Sequence, residues 1–447
     1  MAYKLIGKNF TPPDLEAKVT GSAKYAEDFR ADGMAHIKFY GSPMPHGKVK
    51  SIDLSEAEKV PGFLTALVPD DIKKPDPTGF PILWDEPAYY GAPIVAIAAE
   101  TEQAAADAIA KVKVDMELLP FVVDPLESLK PDGANALSGG NVAGRGVDFQ
   151  TVKWTGKDFA LAGDESMPRG EPVVQWEYGD IEDGFGRAAV VVEESMVHAT
   201  NSHHAMETRS AAAYWENGKC HVWGSTQSTA FAQPGLARMI GIEPSDLVFI
   251  AEFCGGGFGG KAASYPLMAL PALISKKMGG RPALLRVSRN EEYDNGMARA
   301  GFQGYAKFGF AEDGKLIAAD VYIVQDLGPT NGFYDFNNVA NAVTLVYQPE
   351  NMRFRAVPVL TNTVPKGAQR GPGENQTANM FEPLFDKAAR ELGIDRVEIR
   401  KVNAPGGGGA DATYGKDRGP VTSAFLKEAL EKGAEAFNWD ERVKRSG

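Results

Sequence analysis

Five glycines crowd around one phenylalanine in Glu252-Phe253-Cys254-Gly255-Gly256-Gly257-Phe258-Gly259-Gly260-Lys261-Ala262, between the apolar run Leu247-Val248-Phe249-Ile250 and a helix-like segment. A backbone stripped of Cβ atoms to this degree allows close approach by something large or anionic, and Phe258 is the one side-chain wall left. Two phosphate-binding patterns fit the spacing: Gly255, Gly260 and Lys261 as a Walker loop, and Gly255, Gly257 and Gly260 as a dinucleotide fingerprint. Neither is chemically complete. A Walker loop follows its lysine with a hydroxyl for magnesium, and here that residue is Ala262. A dinucleotide fold places an acidic residue about 20 positions further on, where Lys276, Lys277, Gly279 and Arg281 lie.

The rest of the chain narrows the options. Its 447 residues, 43% of them hydrophobic, give length for roughly two to four domains with sizeable cores. A net charge of −12 argues against nucleic acid as a partner. No apolar run reaches the roughly 18 residues of a membrane span, and the N-terminus resembles no signal sequence, so a cytoplasmic protein is predicted. Cys220 and Cys254 are the only cysteines, too few for an iron–sulfur cluster or zinc site made by this chain alone.

An α+β protein in three parts is predicted. Residues 1–130 read as an α+β module, with strands near His36–Tyr40 and Gly62–Val68. It also has a buried strand at Ala92–Ala99, a helix from Glu102 to Val112 capped by Thr101, and a return strand at Lys113–Glu117. Residues 131–185 are rich in glycine, asparagine, aspartate and proline and read as an extended, ordered linker laid over a surface, carrying Trp154, Trp176 and Phe185. Residues 186–447 form the second domain, with strands near 189–194, 211–215, 221–223 and 247–250. Its first helix runs from about Thr229 to Ile240 with Gly241 as its stop. A second runs from Asn375 to Leu392, kinked or shortened by Pro383, and a last helix from Thr422 to Phe437 follows the loop Pro405–Ala412. Phe231, Phe381 and Phe385 are expected in the core, and Gln227 could simply cap the helix at 229. The adjacent His203 and His204 are read as structural and Cys254 as an inert thiol.

Several stretches together resemble the molybdenum-cofactor-binding subunit of the xanthine oxidase family of molybdenum hydroxylases. Gly21–Asp28, Tyr90–Ala96 and Ala99–Glu102 are similar to its N-terminal α/β hammerhead domain; Tyr178-Gly179-Asp180 and Met206-Glu207 are similar to the entry of its first cofactor domain. Three pieces are the most diagnostic: Ser225-Thr226-Gln227, the loop Gly255–Lys261, and Arg370-Gly371-Pro372-Gly373-Glu374-Asn375-Gln376. The resemblance implies a hammerhead-like domain followed by a mixed α+β domain binding molybdenum-pyranopterin, as molybdopterin or its dinucleotide form. It makes Gln227 the residue closest to the chemistry and assigns cofactor contacts to Gln227, Gly257, Phe258, Gly259, Ala368, Arg370 and Gly371. Gln227, Phe258 and Arg370 would lie in the outer shell of the metal, with Arg370 and Gly371 opposite the glycine loop. Donors such as an amide or guanidinium suit oxo and phosphate oxygens.

The implied activity is oxidation of an aldehyde, N-heterocycle or related activated carbon, with water as the oxygen source. Electrons would leave to a [2Fe-2S] subunit and an FAD subunit in a dimer of heteromers. Substrate positions would be Ala262, Arg299 and Pro372. Ala262 and Pro372 replace a glutamate and a phenylalanine of purine-oxidising members, which argues against a planar purine; for Arg299 a surface salt bridge is the competing reading. The family's Gly-Val-Gly-Glu motif, whose glutamate acts as general base, does not occur in the chain. Glu207 and Glu374 are expected to be exposed rather than to replace it. A second molybdenum-domain chain is therefore expected to supply the base. A reductive or non-hydroxylating member, a P-loop or dinucleotide-binding enzyme, and a half-subunit that holds cofactor without chemistry remain as alternatives.

Overall fold

The computed structural model describes residues 4–72, 80–144, 146–160, 166–405 and 423–444. Two seven-stranded sheets organise them. The first runs in the order Leu247–Ile250, Lys219–Gly224, Ala211–Glu216, Ala283–Leu285, Ala35–Gly41, Pro93–Ala99, Phe63–Leu67. All seven residues of Pro93–Ala99 are buried, as expected of an uninterrupted apolar run inside a sheet. Ala35–Gly41 pairs antiparallel with it and parallel with Ala283–Leu285, with Ile37 opposite Leu285. Strands of the N-terminal module and of the second expected domain thus share one sheet, which is not divided at residue 186. The helix Pro266–Lys277 packs its Leu267, Met268, Leu270 and Ile274 into the core beneath this sheet. Gly47–Asp53 and Lys113–Leu118 form a separate antiparallel pair.

The second sheet runs Val147–Gln150, Val142–Gly144, Asn351–Val359, Leu316–Asp326, Phe302–Phe310, Val190–His198, with Val174–Tyr178 also paired to Asn351–Val359. The stretch 131–185, expected to lie over a surface as a linker, therefore supplies three strands. Its Trp154 is buried edge-on against Tyr322, and Trp176 stacks on Phe354. The reason is an open sheet edge. Asn351–Val359 pairs parallel with Leu316–Asp326 on one side, and the 174–178 segment satisfies its other row of backbone groups.

The helix Glu374–Leu392 lies across this sheet and buries Met380, Phe381, Leu384, Phe385 and Ala388 against Phe308 and Phe310. It runs through Pro383 without a break or a later start, because the ring sits on the exposed face where a helix can curve. The helix Thr229–Ile240 ends at Gly241 in the left-handed region, as expected. Its buried stripe is Ala232, Leu236 and Ile240 at four-residue spacing, so Phe231 falls off the stripe and is 72% exposed, against expectation. The final helices are Leu426–Phe437 and Trp439–Val443, and residues 406–412 of the expected loop lie outside the described ones. Among the described residues no helix is long and apolar enough to cross a membrane.

Asp335 opens the helix Asp335–Ala342 from a fully buried position. One carboxylate oxygen accepts from Gln376 Nε2 at 2.9 Å and the other has no partner among the described residues. Burial pushes this carboxyl from an ordinary 3.8 up to about 7, against the pull of Gln376 and Arg299.

Two outcomes follow for stability. The native state holds the Asp335 proton to higher pH than the unfolded chain does, so this group's contribution falls as pH rises from about 4 towards 7. Urea midpoints at about pH 5 and pH 8 should show wild type losing stability relative to Asp335→Asn at the higher pH. Phe385→Ala should cost about 3–5 kcal/mol in the same experiment, whereas Phe231→Ala should stay within about 0.5 kcal/mol.

Candidate functional site

The glycine-rich loop leaves the strand Leu247–Ile250 at the edge of the first sheet and is held down by buried charge. Glu207, expected to be exposed, is buried. Its Oε2 accepts from Gly255 N–H at 2.6 Å and Ser225 Oγ at 2.7 Å, and its Oε1 from Ala26 N–H at 3.3 Å. Lys261 is 1% exposed, with Nζ donating to Glu207 O at 2.6 Å, Ser225 Oγ at 2.7 Å and Thr208 O at 3.3 Å. Glu207 Oε2 lies 3.8 Å from that ammonium. Burial pulls the lysine's pKa down, and Glu207 opposes it. A Walker lysine must reach a bound phosphate; this one points inward, which removes the P-loop reading.

Gln227 bridges from the neighbouring strand end. Ser228 caps the helix at 229 through its own hydroxyl, which leaves Gln227 to the loop. The Gln227 side-chain oxygen accepts from Gly259 N–H at 2.8 Å and more weakly from Lys261 N–H at 3.4 Å, and its amide NH2 has no partner among the described residues. Two glycines make this contact possible. A Cβ on Gly257 would stand 2.4 Å from Gln227 Oε1, and one on Gly259 would stand 2.4 Å from Ala368 O with φ at +104°. Phe258 adopts φ +51° and stays half-exposed between them.

The Ala368–Pro372 segment completes the site. Arg370 N–H donates to Phe258 O at 2.7 Å, so this segment is sewn directly to the glycine loop rather than facing it from the opposite side. The Arg370 side chain is exposed and has no partner among the described residues. Arg299 is buried, not on the surface. It donates from Nε to Gln369 Oε1 at 2.7 Å, from Nη2 to Arg370 O at 2.7 Å, and from Nη1 to Gly371 O and Gln376 Oε1, each at 2.9 Å. Ala262 and Pro372 are half-buried beside the two segments.

Two further groups support the site: His203, read from the sequence as structural, and Arg209, which the sequence did not single out. His203 lies between two carbonyls, with Nδ1 2.6 Å from Met297 O and Nε2 2.8 Å from Ala368 O. A neutral imidazole can donate to only one of them, and burial favours the neutral ring. Arg209 pairs with buried Glu292 and donates from Nη2 to Gly260 O at 2.6 Å. His204, next in sequence, turns to solvent and meets Tyr293. Cys254 is half-buried, 3.9 Å from Ser225 Oγ.

Donors line the site from its exposed edge inward to buried Gly257. The N–H groups of Gly256, Gly257, Phe258, Gln369 and Gly371, the Gln227 amide and the Arg370 guanidinium all lack partners among the described residues. Such a set, on a backbone cleared of side chains, fits an acceptor-rich group carrying oxo and phosphate oxygens.

The molybdopterin cofactor-binding domain family matches residues 166–404, and the aldehyde oxidase and xanthine dehydrogenase a/b hammerhead domain family matches residues 20–120. The xanthine dehydrogenase molybdenum-binding subunit of Escherichia coli O157:H7 is 28% identical over 96% of this chain and 55% of its own length. The nicotinate dehydrogenase large molybdopterin subunit of Eubacterium barkeri is 28% identical over 97% of this chain and 96% of its own length. The solved aldehyde oxidoreductase from Desulfovibrio gigas superposes with a TM-score of 0.82 at 26% identity, over 97% of this chain and 47% of that one. This chain thus spans about half the length of the E. coli subunit and of the solved aldehyde oxidoreductase. With the donor-lined glycine loop at the end of a sheet that the hammerhead strands complete, the chain belongs to the molybdenum-cofactor-binding proteins of the xanthine oxidase family.

Proposed function

We propose that this chain is the cofactor-holding half of the molybdenum subunit of a multi-subunit oxidoreductase, and that a second molybdenum-domain chain completes its pocket. The observation that carries this reading is the one-sided set of unpartnered donors on Gln227, the glycine loop and the Arg370 segment. Gln227, Gly257, Phe258, Gly259, Ala368, Arg370 and Gly371 would hold the molybdenum-pyranopterin. When bound, that group would supply two-electron oxidation of a substrate carbon, with water as the oxygen source.

The chain's own residues would bind and orient. The Gln227 amide offers a neutral donor, its oxygen already tied to Gly259 N–H, so its direction is set before any ligand arrives. Arg370 offers a charged, planar donor. Glu207 is spent on Gly255, Ser225 and Ala26 and is not free to take a substrate proton, so in this reading another residue serves as the base. The substrate class is an aldehyde or an N-heterocycle passing between Ala262 and Pro372, small residues that leave no charged or aromatic clamp for a purine. Iron–sulfur and flavin subunits would carry electrons away.

Purification of the native complex, with elemental analysis and a mass-spectrometric inventory of its chains, tests the reading. Molybdenum and a second molybdenum-domain polypeptide are expected together; a complex that lacks either overturns it. Within the loaded complex, Gln227→Ala should slow turnover about a hundredfold at unchanged molybdenum content, and an unaltered rate would favour a purely holding role. Gly257→Ala should instead empty the site, because its methyl, 2.4 Å from Gln227 Oε1, would force the loop backbone itself out of place; molybdenum per chain is the readout.

A further inference from the structure

The carbonyls of Ala368, Arg370 and Gly371 are all directed at buried side-chain nitrogens: His203 Nε2 for the first, and Arg299 Nη2 and Nη1 for the other two. Among the described residues no peptide is cis. In a trans peptide the carbonyl and the next N–H point in opposite directions. The Ala368 and Arg370 carbonyls face the buried side, so the N–H groups of Gln369 and Gly371 turn the other way, and neither has a partner among the described residues. Arg299 also grips the Gln369 side chain through Nε. Gln376 braces it in turn, accepting from Arg299 Nη1 and from Gly373 N–H at 2.9 Å while donating to Asp335 Oδ2 and, at 3.2 Å, to Ala300 O. The guanidinium has four hydrogen bonds within the protein and is 5% exposed.

We infer that Arg299 is a positioning residue that fixes the peptide orientation of residues 369–371, so that this segment presents N–H donors to the cofactor, and that it does not contact substrate. The proposal rests on the cofactor reading above. The fork geometry is what matters: two carbonyls and two side-chain oxygens lie in the reach of one planar group, and an ammonium, a point donor on a flexible stem, cannot span them. Lysine at this position keeps the charge and loses the orientation.

The test compares wild type, Arg299→Lys and Gln369→Met in the purified native complex, by molybdenum retained per chain after dialysis, by amide hydrogen exchange across 368–373, and by KM per molybdenum-loaded site. Arg299→Lys should lose molybdenum about tenfold to a hundredfold faster, exchange faster across 368–373, and leave KM unchanged. Gln369→Met, which removes the bond from Arg299 and the longer one to Ser202 O at a half-buried position, should shift retention and exchange in the same direction by less, and it carries the test if the lysine variant does not fold. Wild-type retention and exchange in both variants overturn the proposal; a raised KM at wild-type retention makes Arg299 a substrate contact. A wild-type complex without molybdenum defeats the cofactor reading instead, and exchange across 368–373 then decides on Arg299 alone.

Discussion

One buried carboxylate holds the parts of this molecule in register. Glu207 accepts from the backbone of Ala26 in the N-terminal module, from Ser225 at the end of a first-sheet strand, and from Gly255 at the start of the glycine loop. The Lys261 ammonium from the far end of the same loop lies beside it. A charge taken out of water is costly unless its lone pairs are filled, and removing one partner of such a cluster costs about 3–5 kcal/mol. The loop cannot shift without exposing that cost at both of its ends. The Arg209–Glu292 pair repeats the device behind Gly260.

What that anchoring secures is a backbone conformation that the loop would not hold alone. Phe258 sits at a positive φ, a strained setting for a side chain with a Cβ, costing about 1–2 kcal/mol. Its carbonyl is fastened to Arg370 N–H, while Gln227 fastens the residue after it. Strain in the loop is thus balanced by hydrogen bonds from two other segments, leaving an aromatic ring and a row of N–H groups at the surface.

Local features were legible in the sequence. The helix Thr229–Ile240 with its Gly241 stop, the buried strand near 93–99 and the Thr101 cap follow from periodicity and capping chemistry, which act over a few residues. Gln227, the glycine loop and Arg370 were legible as a pattern, and the fold brings them into hydrogen-bonding contact. Long-range features were not. Nothing near Glu207 signals that its partners lie at 26, 225 and 255, and Arg299 gives no local hint that it reaches 369–371. The strand Val174–Tyr178 was hidden for the same reason: its pairing partner is Asn351–Val359, and its own neighbourhood is rich in turn residues. Phe231 was misplaced because a twelve-residue helix with one narrow stripe leaves an aromatic one position away in solvent.

The interleaved first sheet also bears on how the chain is made. Ala35–Gly41 can pair with Pro93–Ala99 early in synthesis, but its other edge waits for Ala283–Leu285, and the Lys38 to Arg286 contact beside that seam spans 248 residues. At ribosomal speed the interval is on the order of ten to fifty seconds. Throughout it, the nascent N-terminal module carries an open strand edge. That exposure is a time window in which a holding chaperone, or a neighbouring chain on the same messenger, competes with the native partner.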